Sequence, residues 1–264
     1  MTAQSATDAV LLRTDRDGVA WLTLNRPQAR NALSMGVMDA LHAELTRIAT
    51  DPTVKVVVIG GAGPAFCSGH DLREMRAHSG RAAHEATFAA CSRLMLAIVR
   101  LPKPVIARVH GIATAAGCQL VATCDLAVAA DDARFATPGV NIGLFCSTPM
   151  VALTRAVGRK TAMEMLLTGA LIDAPRAREI GLVNRVVPLA ELDEATAELA
   201  EGIAAKSPLT LAIGKEAFYA QAEMGLADAY RHTSEVMVRN MLAADAVEGI
   251  DAFLNRRQPV WTGT

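Results

Sequence analysis

The chain has 264 residues, enough for one large domain or two small ones with a sizeable core. A formal net charge of −1 and only 4% aromatic residues leave no basic field to meet phosphates and few rings to stack bases. Nucleic-acid binding and membrane-surface attachment are therefore excluded as the main role.

The five cysteines are odd in number and include no CxxC pair, which reads as reduced, buried thiols in a cytoplasmic protein. The first 19 residues carry acids and no hydrophobic signal core, and are short for a cleaved transit peptide, in keeping with that compartment.

In chain order, Val19–Leu24 (VAWLTL) predicts a strand ended by Asn25-Arg26-Pro27. Met35, Met38, Leu41, Leu45 and Ile48 recur at helical spacing, so a helix is expected over Ser34–Ala49 with Ser34 as N-cap. Val54–Ile59 is continuously apolar and β-branched, the pattern of a strand buried on both faces. The glycines at 60, 61 and 63 then predict a loop, Asp71–His78 a short helix or turn, and His84–Leu101 an amphipathic helix stopped by Pro102 and Pro104. Val105–Val109 predicts a strand.

Gly111–Ala130 is nearly all apolar or small and about as long as a membrane span. Gln119 and Asp125 interrupt it and no basic flank follows, so a buried helix and the strand Leu126–Ala130 are expected instead. Ala133–Thr148 reads as a loop over the site. Thr161–Leu167 and Pro175–Ile180 read as helices, and Leu182–Val187 as a last strand. From Leu189 to Arg257 the pattern is helical, broken at Ser207-Pro208 and near Gly225. Strand–helix alternation followed by helices predicts an α/β core with a helical C-terminal module.

Several site chemistries fail on spacing. The glycines after Ile59 lack the third position of a dinucleotide fingerprint, no Lys follows Gly69 as a P-loop requires, and Ser68-Gly69 lacks the leading glycine of a nucleophile elbow. The six histidines are scattered, and no metal-ligand cluster is visible. Two glycine-punctuated turns remain, FCSGHDL (Phe66–Leu72) and HGIATAAGCQL (His110–Leu120). Each follows an apolar strand, and the second delivers small residues to a helix N-terminus, whose free N–H groups stabilise negative charge.

Together with Asn25-Arg26-Pro27, Asn31-Ala32-Leu33, Phe135–Gly143, Gly181–Val187 and Glu248–Arg257, these turns resemble the crotonase (enoyl-CoA hydratase/isomerase) superfamily, in its order and spacing over nearly the whole chain. The runs FATPGVNIGLFCSTP and FLNRRQPVW resemble one branch of it shared by vertebrates and bacteria.

The resemblance implies a ββα spiral core over residues 1–200 and a helical oligomerisation module over 201–264, assembling as a homotrimer or a hexamer of two trimers. It implies no permanently bound cofactor, coenzyme A entering as part of an acyl-CoA thioester substrate. The thioester oxygen would rest on the backbone N–H groups of His70 and Ala116. Arg26, Arg30, Ala32, Ser68, Asp71 and Leu72 would line the coenzyme A channel, and Phe253 and Arg256 would reach a neighbouring subunit's ligand.

The two acid–base glutamates of family hydratases would fall at Gln119 and Gly139, and neither is a carboxylate. Gln119 can orient a water but cannot shuttle a proton at neutral pH. Other members place an aspartate at the position of Ser147. Three readings follow: an acyl-CoA-processing enzyme with a non-standard acid–base pair, a non-catalytic acyl-CoA-binding protein, or a thioester hydrolase using Cys146 or Ser147 with His70 as base. Cys118, beside the helix start, is expected to be a packed, inert thiol.

Overall fold

The computed structural model describes residues 9–264. Residues 1–8, on which part of the N-terminal reading rests, lie outside the described residues. The chain is mixed α/β, with six strands in a main sheet ordered β1-β2-β3-β4-β6-β9 and three in a second sheet ordered β5-β7-β8. In the main sheet β1 (Leu11–Arg16) pairs antiparallel with β2 (Val19–Leu24), and β2, β3 (Val56–Gly61), β4 (Val105–Val109), β6 (Leu126–Ala130) and β9 (Arg185–Val187) run parallel.

The unbroken apolarity of β3 follows from its place in that sheet. Val57 and Ile59 pack into the larger core with α1 (Met35–Thr50) and α3 (Arg81–Arg100). Val56 and Val58 pack on the opposite face with Leu192, Ala200 and Ala204 of α8 (Leu192–Ala204). A strand covered on both faces needs no polar alternation. Ser34 caps α1 as expected, its Oγ accepting the Val37 N–H at 3.3 Å.

The second layer repeats behind the first. β5 (Ile112–Thr114) pairs with β7 (Arg134–Ala136), β7 with β8 (Ile172–Asp173), and single bridges join Cys67 to Ala113 and Leu33 to His70. Each main-sheet strand β3, β4 and β6 is thus followed by a short second-layer segment and then a helix: α2 (Leu72–Ala77) and α3, α4 (Ala116–Thr123), and α5 (Pro149–Ala156). This is the ββα progression.

The expected loop Ala133–Thr148 is corrected: it contains β7 and a 3-10 turn over Pro138–Ile142. The expected strand Leu182–Val187 contracts to β9, because Leu182 and Val183 turn back to bond the Ala177 carbonyl after α7 (Ala174–Glu179). Within the suspected membrane-length run, β5, α4 and β6 are packed into the interior. α3 is the helix long and apolar enough to span a bilayer by length and composition, and it lays Ala90, Cys91, Leu94 and Ile98 on the core.

The C-terminal helices are α9 (Pro208–Gln221), α10 (Leu226–Met241) and α11 (Ala244–Leu254), following α6 (Arg159–Thr168), α7 and α8. The division at residue 200 falls inside α8, which belongs to the sheet packing. A groove of about 1700 Å³ separates α9 and α10 from α3, α4 and α5, walled by Met95, Gln119, Val151, Ile213 and Val238.

Candidate functional site

The two turns singled out in the sequence meet in space. Residues 67–71 are stitched on one side to the segment after β2: Ser68 N–H donates to the Arg30 carbonyl (3.0 Å), Leu33 N–H to Gly69 (2.8 Å) and Asp71 N–H to Leu33 (3.1 Å). On the other side Cys67 N–H donates to Ile112 and Thr114 N–H to Cys67, each at 3.0 Å. Asn31, fully buried at φ 54°, locks the corner. Its Oδ1 accepts the Arg26 N–H (2.9 Å), and its Nδ2 donates to the carbonyls of Ala62 (2.9 Å) and Ala65 (2.7 Å).

Glycine is required where the turns touch. Gly69 has φ +98°, and a Cβ there would stand 2.8 Å from the Ala115 Cβ and 3.2 Å from the Ala116 nitrogen. A side chain at Gly117 would overlap the Cys67 carbonyl. His70 and the N-terminus of α4 are thereby adjacent. Among the described residues, neither the His70 nor the Ala116 N–H has a hydrogen-bond partner, and Ala116 is fully buried. A buried N–H without an acceptor costs about 1–3 kcal/mol, which a ligand oxygen recovers.

The His70 imidazole packs edge-on against Phe88 of α3, centroids 5.5 Å apart, and burial pushes its pKa below the ordinary histidine value. Its Nε2 is buried without a partner. Three residues further along α3, the Cys91 thiol donates to Oε1 of Gln119 at 3.7 Å. Burial raises that thiol to about 11, so it stays a neutral donor. Gln119 is 5% exposed.

Gly139, where the resemblance would place a glutamate, has no room for a side chain. A Cβ at 139 would lie 2.6 Å from the Leu144 carbonyl oxygen and 2.9 Å from the Cys146 sulfur, so the space of a side chain is already filled. Burial raises the Cys146 thiol. The Ser147 hydroxyl is exposed and donates to the Phe145 carbonyl at 3.4 Å. Neither has a histidine hydrogen-bonded to it among the described residues. Cys118 is pushed to about 12 by burial, which keeps it an unreactive thiol despite its place in the first turn of α4.

Arg26 reaches back to the loop: Nη2 meets Asp71 Oδ2 at 3.0 Å and Nη1 donates to the Ala32 carbonyl at 3.1 Å. Asp71 also caps α2 through the N–H groups of Arg73 and Glu74. Burial alone would raise its carboxyl, but the Glu74 N–H and the Arg26 guanidinium outweigh that and hold it below the ordinary value. Arg30 and Leu72 are both exposed, and the Arg30 guanidinium has no partner among the described residues. Phe253 and Arg256 sit at the exposed end of α11, which packs on α9 and α10, so within one chain they do not join this cluster. The sequence placed Asn31 within the turn expected along coenzyme A but not as the lock of the corner, and nothing in its pattern marks Phe88 or Cys91.

The fold of ββα turns defines a class, and a sequence model of the family enoyl-CoA hydratase/isomerase matches residues 14–264. The chain belongs to that family, the crotonases. It is 50% identical over 246 residues to the human enoyl-CoA hydratase domain-containing protein 3, mitochondrial, covering 93% of this chain and 81% of that one. The crystal structure of an enoyl-CoA hydratase of Mycobacterium smegmatis superposes with a TM-score of 0.93 at 54% identity, covering 96% and 98% of the two chains. The crystal structure of the human domain-containing protein 3 gives a TM-score of 0.93 at 48% identity, covering 96% and 100%.

The cytoplasmic expectation is corrected by these relatives. The human protein and its counterparts in Xenopus laevis, Rattus norvegicus and Danio rerio are all named as mitochondrial. The expectation leaned on unpaired thiols, yet all five cysteines are buried, and packing preserves a buried thiol in any reducing compartment.

Proposed function

We propose that this chain binds acyl-CoA thioesters, holding the thioester oxygen between the His70 and Ala116 N–H groups and stabilising the enolate-like oxyanion there. The single observation that carries this reading is the pair of unpartnered N–H groups held side by side by Gly69. In comparable oxyanion holes one donor contributes about 3–4 kcal/mol to the charged state. With Arg26 committed to Asp71, Arg30 is the cation left to meet a coenzyme A phosphate, while Ala32, Ser68, Asp71 and Leu72 line its path. The acyl chain would run along α4 past Gln119 into the apolar groove beside α9. The chain would assemble as a homotrimer or a pair of trimers, with Phe253 and Arg256 offered to a neighbour's ligand.

Gln119 and the filled space at Gly139 favour a second reading, in which binding persists without turnover. Cys146, which is buried, and Ser147, whose hydroxyl donates to the Phe145 carbonyl and meets no histidine among the described residues, lend no support to thioester hydrolysis.

The test is a panel of saturated and unsaturated acyl-CoAs of increasing chain length, read by calorimetry and by product mass. Binding that tightens with chain length, and weakens at least tenfold in Arg30→Ala, is expected. If no acyl-CoA binds, the reading falls. Hydration or isomerisation in the panel would reject the non-catalytic version.

A further inference from the structure

We infer that the His70 side chain is the proton-transferring group of this site, taking the place of the carboxylates absent at 119 and 139; this rests on the acyl-CoA reading above. Three independent features converge on it. The buried Nε2 of His70 has no partner, and of the five buried side-chain atoms in that state among the described residues it is the one carried by the 69–71 turn. The space at 139 is occupied by the Leu144 carbonyl and the Cys146 sulfur, so that loop cannot present an acid or base from this position. Phe88 and Cys91, three residues apart on one face of α3, contact the imidazole and the Gln119 carboxamide respectively, so the two polar groups are held against the same helix face. Gln119 is neutral and held by the Cys91 thiol, which leaves the imidazole, kept neutral by burial, as the group at that helix face able to accept a proton.

The step balances without a co-reactant. The Nε2 lone pair removes a proton from the carbon adjacent to the thioester carbonyl. The electrons of that C–H bond form a carbon–carbon double bond, and the carbonyl π pair moves onto the oxygen held by the His70 and Ala116 N–H groups. The imidazolium returns its proton either to the same carbon or, in an enoyl chain, to the carbon two bonds further on. The chemistry is exchange or double-bond migration, and the substrate class is a thioester with an acidic α or γ C–H. Because the same residue would supply one oxyanion donor through its backbone and the base through its ring, substitution of the side chain leaves the donor in place.

The experiment incubates butyryl-CoA with the protein in D2O and follows deuterium at C2 by mass, beside calorimetric binding of the same ligand. The native protein should exchange C2. His70→Gln and His70→Ala should each lose at least a hundredfold in exchange while binding within threefold of native. Exchange at the native rate in either folded variant overturns the inference, as does a native protein that binds butyryl-CoA without exchange. Loss of binding in both variants also overturns it, since the ring would then serve the pocket rather than the proton. Failure of the native protein to bind any acyl-CoA strikes the underlying reading instead, and is separated from the rest by the calorimetry.

Discussion

Ala115 holds φ 51° and ψ −118°, a region that favours glycine and costs an alanine about 1–3 kcal/mol. Its N–H donates to Ala136 (2.9 Å) and its carbonyl accepts Gln119 N–H (3.0 Å), so the strained residue is fixed from both sides at the entrance to α4. Gly69 is the opposite case, a glycine where a methyl group would strike Ala115. Ala115→Gly should therefore raise stability by about 1 kcal/mol, the relief of strain exceeding the added chain entropy, with acyl-CoA affinity kept within threefold. Gly69→Ala should lower stability by about 2 kcal/mol and weaken acyl-CoA binding at least tenfold. Urea unfolding and calorimetry on the two variants check both. The sequence displayed the small residues at 115–117 and the bare Gln119 and Gly139. It could not display an alanine at positive φ, or the sulfur filling the space at 139, because both are properties of the loop path rather than of residue type.

At the scale of elements, α9 is fastened to the core by charge. Lys215 Nζ contacts Asp125 Oδ2 (2.7 Å) and donates to the carbonyls of Ile98 (2.9 Å) and Lys103 (3.0 Å), and Tyr219 donates to Asp125 Oδ1 (2.8 Å). Asp125 also accepts the Val105 N–H at the start of β4 (2.7 Å). Burial pushes the Lys215 pKa down, while the Asp125 carboxylate opposes it. Lys215→Met should cost about 3 kcal/mol, because a buried carboxylate and two carbonyls lose their cation. Tyr219→Phe should cost about 1 kcal/mol, and denaturant midpoints measure both. From sequence, Asp125 was visible only as a polar interruption of an apolar run, since its partners lie far along the chain. The long strands β2, β3 and β4 were readable from composition. β5 and β7, three residues each, are too short to show alternation, and the short α5 went unpredicted between the glycine-rich turn and Thr161.

At the scale of the whole molecule, large apolar side chains stand exposed on the C-terminal helices and on the core. Leu226 (76%), Leu242 (80%), Phe253 (82%) and Leu254 (70%) stand out from α10 and α11, with Ile142 and Leu167 exposed on the core. If trimers or paired trimers cover this surface, the native protein should sediment as one of those species. Leu242→Glu combined with Phe253→Asp should shift it to monomers. A native monomer at micromolar concentration would reject the assembly. Hydrophobic residues make up 52% of the chain, enough to supply exposed contact faces as well as a core. Which helices present them was not readable, because an amphipathic pattern looks the same whether its apolar face meets the core or a second chain.

Both groups proposed to hold the thioester oxygen belong to the main chain, and this has a consequence for inheritance. A side-chain donor can be deleted by a single codon change, whereas an N–H survives every substitution except proline and is lost only when the backbone takes another path. Around a thioester held in this way, the surrounding side chains would be free to change while the grip on the carbonyl is retained. In a lineage built this way, ligand class is the conserved trait and reaction type the mutable one.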